Sequence, residues 1–140
     1  MKISCEKYDK SSRELYQISA EDFDFFTKEA ISSREYIIAK NEHGQIIGIL
    51  CFKPSIYEDA AICFSFLSVK QEFKKMGVAK ALLQFFDEWS CLKSDIDFVI
   101  VTDYTEEGFK YLKPLIHQMR YSFNKRWLDK NEYIKYVLCE

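Results

Sequence analysis

Four lysines, Lys70, Lys74, Lys75 and Lys80, gather around one glycine in "VKQEFKKMGVAKALLQFFDEW", residues 69–89, although the chain's formal net charge is −2. The chemistry that this grouping suits is the capture of a phosphate. The first N–H groups of a helix lack internal partners, and the helix dipole adds positive potential there. An anion at that point is satisfied by groups the fold supplies anyway. In "KKMGVAK" the loop after Phe73 aims such amides outward, Gly77 lets a ligand approach the backbone, and Ala79 keeps the next turn uncrowded. The competing explanation is an ordinary solvated strand-to-helix turn, and the bare residues divide evenly between the two.

Other chemistries are narrowed by composition. Only four glycines occur (Gly44, Gly48, Gly77, Gly108), so neither G-x-G-x-x-G nor G-x-x-x-x-G-K-[ST] can be written. Five cysteines (Cys5, Cys51, Cys63, Cys91, Cys139) stand far apart with no C-x-x-C, and read as reduced thiols packed as small hydrophobes. His43 and His117 stand alone, so no metal site is expected. A slightly acidic chain is not a dedicated nucleic-acid binder. No apolar run reaches the ~18 residues of a membrane span. "MKISCEKYDK" shows neither a long apolar segment nor a cleavage signal, so the cytoplasm is the expected compartment.

The elements that must position the loop follow from periodicity. The 140 residues suit one domain, 1–140. "KISCEKYD" predicts a first strand, and residues 11–30 turn helical through Leu15, Ile18, Phe23 and Phe26, with a division near Ser19. "YIIAKNEHGQIIGILCF" predicts an antiparallel hairpin turning at "NEHG", which Pro54 ends. Ala60–Val69 is a buried strand. Val78, Leu82, Phe85, Phe86 and Trp89 recur at helical spacing, and "DFVIV" is a short strand covered on both faces. Thr105–Met119 is helical, with Pro114 expected to kink or split it, and the chain closes on a hairpin turning at 129–131. The predicted class is α/β. Its sheet is mixed and mostly antiparallel, flanked by helices, around one parallel strand–helix–strand unit from Ala60 to Val101.

At this point the chain resembles the GNAT superfamily of acyl-CoA N-acyltransferases. Their signature is a strand ending in L-x-V, a short linker and then [RQ]-x-x-G-x-[GA] opening a helix. "FLSV", "KQEF" and "KKMGVA" place Leu67, Val69, Gly77 and Ala79 in register, and the element order is similar over nearly the whole chain. Lys74 departs from the usual Arg or Gln; it keeps the charge and loses the planar fork. The resemblance implies acetyl-CoA as cosubstrate and no metal. Main-chain groups of Leu67, Ser68 and Val69 would pair with the pantetheine arm, and the amides of Lys75, Met76, Gly77, Val78, Ala79 and Lys80 would hold the diphosphate. It also implies a splay between the strands ending at Val69 and Val101, which receives the thioester.

Acetyl transfer to an amine needs a neutral nucleophile, a donor for the oxyanion and a proton for the leaving thiolate. By resemblance the Val69 N–H is the oxyanion donor and a tyrosine is the acid. The family pattern N-x-x-A-x-x-x-Y aligns Thr105, Gly108 and Leu112 in one register of "TEEGFKYL". Shifted by one it aligns Tyr111, with Glu107 at the small-residue position. The two registers differ by about 100° around a helix, and the Gly-Phe pair that usually follows is missing. Tyr111 is the candidate acid, Thr105 a further cofactor contact, and Asp103 or Glu58 a candidate base through water. Packing and turn roles compete for each of them.

Three functions follow. The first is an N-acetyltransferase acting on a primary amine, whether a small molecule, a lysine side chain or a protein N-terminus. The second is a CoA-binding sensor or interaction module of the same fold with weak catalysis. The third is an unrelated α/β interaction domain. Neither nucleic acid nor a membrane is an expected partner, and dimers are common among proteins of this resemblance.

Overall fold

The computed structural model describes residues 1–8, 35–54, 61–92, 97–101 and 106–138. These form β1 (Ser4–Tyr8), β2 (Glu35–Lys40), β3 (Ile46–Pro54), β4 (Ala61–Val69), a 3-10 turn (Gln71–Phe73), α1 (Val78–Cys91), β5 (Phe98–Val101), α2 (Glu106–Met119), β6 (Arg126–Asp129) and α3 (Lys130–Leu138). Strands neighbour one another in chain order. The chain divides into two compact units, Met1–Phe52 with Phe66–Phe85, and Lys53–Ser65 with Phe86–Glu140. Both β4 and α1 contribute residues to each.

In the first unit β1 pairs antiparallel with β2 from Ser4↔Lys40 to Tyr8↔Tyr36, and β2 pairs antiparallel with β3 from Glu35↔Phe52. The "NEHG" turn forms where the polar residues predict it. Asn41 Oδ1 accepts the N–H groups of His43 and Gln45, both at 3.0 Å, and Gly44 takes the left-handed φ of 75° that closes the turn. Because β2 is buried on both faces, its run "YIIA" is continuously apolar. Tyr8, Tyr36, Ile38, Ile49 and Cys51 pack one cluster. Lys70 N–H donates to the Ile47 carbonyl at 2.9 Å, which sets the end of β4 beside the start of β3 and makes that neighbouring pair antiparallel.

In the second unit β4 and β5 are parallel from Ala61↔Phe98 to Phe64↔Val101, as expected for a strand–helix–strand crossover, and β5 and β6 are parallel from Phe98↔Arg126. Ala61, Cys63, Phe98, Ile100 and Tyr133 form one core cluster. Rings gather on Trp127: Phe123 stacks at 4.5 Å, Phe86 meets it edge-on at 5.6 Å, and Phe64 lies at 6.1 Å. The fold is therefore the predicted α/β class, a mixed and mostly antiparallel sheet with helices.

Two expectations need correction. The terminal hairpin does not form: β6 runs straight into α3, and the predicted turn is a helix start. The reason is a capping box. Asp129 Oδ1 accepts the Glu132 N–H at 2.8 Å, and Glu132 Oε1 accepts the Asp129 N–H at 3.4 Å. Arg120 then holds Glu132 at 3.0 Å. Nor does Pro114 split α2, which runs unbroken from Glu106 to Met119. Lys110, whose carbonyl loses its partner four residues on, and Pro114 are both exposed, so water can serve that carbonyl. The helical prediction for 11–30 lies outside the described residues.

Candidate functional site

The site is built by the strand end Leu67–Val69 and the loop that opens α1, both in the first unit. After β4, the 3-10 turn is closed by Phe73 N–H on Lys70 O at 2.9 Å and Lys74 N–H on Gln71 O at 3.4 Å. The chain then passes through two left-handed residues, Lys75 at φ 66° and Gly77 at φ 86°. Gly77 O accepts the Ala81 N–H at 3.0 Å, the first bond of α1. The amides of Lys75, Met76, Gly77, Val78, Ala79 and Lys80 have no protein acceptor among the described residues. Six consecutive N–H groups at a helix start, reached through a left-handed turn, suit a group with several anionic oxygens.

The side chains frame this backbone without filling it. Lys75, Met76, Gly77 and Lys80 are exposed, whereas Val78 is buried at 1% exposure and anchors the helix. A Cβ at Gly77 would meet nothing within 4 Å, so this glycine serves the left-handed backbone conformation, not packing.

Along β4 the geometry is equally specific. Lys70 N–H turns toward Ile47, so the main-chain groups of Val69 and Leu67, alternating along the strand, face away from β3. Among the described residues the register with β5 runs to Phe64↔Val101, and β4 continues to Val69. Main-chain donors and acceptors at Leu67 and Val69 can therefore take an extended polar chain as an added strand would be taken.

Of the sequence-derived residues, the structure brings together Leu67, Ser68, Val69, Lys74, Lys75, Met76, Gly77, Val78, Ala79 and Lys80 within one unit. Tyr111 belongs to the other, on α2, with its side chain 66% exposed. Asp103, Glu58 and Thr105 lie outside the described residues. The sequence reading missed two residues. Gly48 on β3 supports the start of α1, and its only trace is a glycine inside an apolar strand. Asp87, 4% exposed, ties α1 to the segment entering β6, and an acid between apolar helix positions is its only signal.

The chain belongs to the acetyltransferase (GNAT) family, whose model matches residues 3–101. No curated protein sequence matches it. Solved structures share the fold at low identity. A ribosomal-protein-alanine N-acetyltransferase from Brucella melitensis biovar Abortus 2308 superimposes with a TM-score of 0.64 and 14% identity, over 84% of this chain and 90% of that one. A GNAT family acetyltransferase from Elizabethkingia anophelis, with acetyl-CoA bound, gives 0.61 and 19%, over 81% and 73%. An aminoglycoside acetyltransferase from an uncultured soil metagenomic sample gives 0.59 and 17%, over 81% and 91%. No helix among the described residues is long and apolar enough to cross a membrane.

Proposed function

We propose that the protein is an N-acetyltransferase that moves the acetyl group of acetyl-CoA to a primary amine by direct attack in a ternary complex, with residues 1–140 working as one domain. The observation that carries this is the run of amides from Lys75 to Lys80, without an acceptor among the described residues, together with the main-chain groups of Leu67 and Val69 that face away from β3. The two stretches match the two polar parts of the cosubstrate, a diphosphate and an amide-bearing arm. Lys74, Lys75 and Lys80 add charge for the diphosphate.

The amine nitrogen attacks the thioester carbonyl carbon, the carbon–sulfur bond breaks, and the thiolate accepts a proton. The Val69 N–H would face the oxyanion, Tyr111 would supply the proton, and Asp103 or Glu58 would take the amine's proton through water. Thr105 remains a proposed cofactor contact. The acceptor class is an amine, small or on a protein, in keeping with the names of the aminoglycoside and ribosomal-protein acetyltransferases that share the fold.

A second reading, a CoA-binding module of weak activity, draws on the high exposure of Tyr111 and the irregular sequence around it. Two measurements test both. Ligand at 100 times its dissociation constant stabilises a protein by about 2.7 kcal/mol, several degrees in a domain of this size. A thermal shift with CoA is expected; silence at millimolar CoA and dephospho-CoA sinks both readings. Thiol release against a panel of amines then separates enzyme from module.

A further inference from the structure

Gly48 lies on β3, outside both segments assigned to the cosubstrate, yet a side chain there would run into both. A Cβ built on it would stand 2.7 Å from Val78 Cγ1, 3.0 Å from Leu82 Cδ1 and 3.5 Å from the Ser68 carbonyl oxygen. The first distance is well inside any carbon–carbon contact, which is optimal near ~3.5–4.0 Å. Val78 is the first residue of α1 and supplies one of the unpartnered amides; Ser68 lies in the strand end. The conformation of Gly48 does not demand glycine, because its φ is not among the positive ones. Only the approach of the helix does.

From this we infer that Gly48 is a positioning residue of the cosubstrate site: its bare Cα sets the spacing between the α1 amides and the main chain at the end of β4. The inference rests on the acetyl-CoA reading above. Its physical basis is that one ligand must meet two rigid elements at once. A methyl at position 48 cannot be absorbed by Val78, which is buried and stiff at χ1, so the first turn of α1 moves outward. A ligand held by the loop alone follows the helix and keeps its contacts. A ligand held by loop and strand together is stretched across a gap that no longer fits.

That contrast supplies the test, measured by calorimetric titration of the whole chain with CoA and with adenosine 5′-diphosphate, which has the diphosphate and no pantetheine arm. Gly48→Ala is expected to weaken CoA about tenfold, a modest part of what a 1 Å misplacement can cost, and to leave ADP affinity within about twofold. Adding Val78→Ala makes room for the new methyl and is expected to bring CoA affinity back to that of Val78→Ala alone. Should Gly48→Ala fail to fold, that second comparison decides by itself. CoA and ADP weakened alike, neither weakened, or a double variant about tenfold weaker than Val78→Ala, each overturns the inference. Wild-type protein that binds neither ligand removes the cosubstrate reading, and the inference with it.

Discussion

The carboxylate of Asp87 on α1 accepts three hydrogen bonds from Asn124: the main-chain N–H reaches both oxygens at 3.0 Å, and the side-chain amide reaches Oδ2 at 3.0 Å. Lys125 N–H adds a fourth at 3.3 Å. One buried acid thus satisfies two backbone donors just before β6, next to the Trp127 aromatic cluster. Asp87→Ala takes a charged acceptor away from part-buried donors, and a hydrogen bond to a charged group contributes about 1.5–3 kcal/mol, so a loss of about 1.5 kcal/mol or more in urea unfolding is expected. Asp87→Asn keeps an acceptor and is expected to lose less. An alanine variant as stable as wild type would show that water takes over the whole task.

Lys75 holds a left-handed φ of 66° on an exposed loop, a conformation that costs a residue bearing a Cβ roughly 1–2 kcal/mol. Lys75→Gly removes that strain and one positive charge together. The two effects separate by measurement. Stability without ligand is expected to rise by up to about 1 kcal/mol, since glycine's greater chain entropy offsets part of the relief. CoA affinity is expected to fall, and its dependence on salt to shallow. A variant both less stable and equally tight for CoA would contradict both halves of the account.

Much of this architecture is legible in the residues because burial imposes period. Strands β2 to β5 and helix α1 each bury a regular apolar pattern, so their order emerges without coordinates. The loop proposed to hold the diphosphate stands out in the sequence for another reason: Gly77 and its lysines follow an apolar strand and precede an amphipathic helix. The end of the chain misleads because "DKNE" suits a tight turn and a capping box equally well. What decides is the reciprocal pair Asp129 and Glu132, held by Arg120 twelve residues away. Gly48 and Asp87 act through partners 30 and 37 positions distant, Val78 and Asn124. No local pattern announces such contacts.

The cysteines should differ in reactivity. Cys91 is exposed, Cys51 and Cys63 are buried, and burial pushes the Cys5 thiol from 9.0 up to about 11. Of these four cysteines, native protein treated with iodoacetamide at pH 8 is expected to lose the Cys91 thiol first, with Cys5 far behind, because the thiolate is the attacking form. The linkage sign follows from the same shift. Between pH 9 and 11 the unfolded thiol ionises while the folded one keeps its proton, so the folded state binds more protons and stability falls as pH rises. Replacing Cys5 by Ala should flatten that part of the pH–stability curve. Rapid labelling of Cys5 at pH 8 would mean that β1 opens readily or that the thiol is less shielded than its burial indicates.

Tyr111 offers the cleanest test of the proposed chemistry because the fold scarcely depends on its ring. At 66% exposure its hydroxyl contributes little packing, and surface substitutions of this kind usually shift stability by no more than about 0.5 kcal/mol. Tyr111→Phe therefore changes proton supply while leaving the protein's structure in place. A group that protonates a leaving thiolate contributes roughly 10²–10⁴ in rate. The expected result is a fall in kcat of about a hundredfold with KM for acetyl-CoA unchanged, since the phenol would act in the transition state and not in cosubstrate binding. An unchanged kcat would remove Tyr111 from the mechanism and leave the thiolate to depart unassisted or to take its proton from water. A rise in KM at constant kcat would instead assign the ring to holding the substrate.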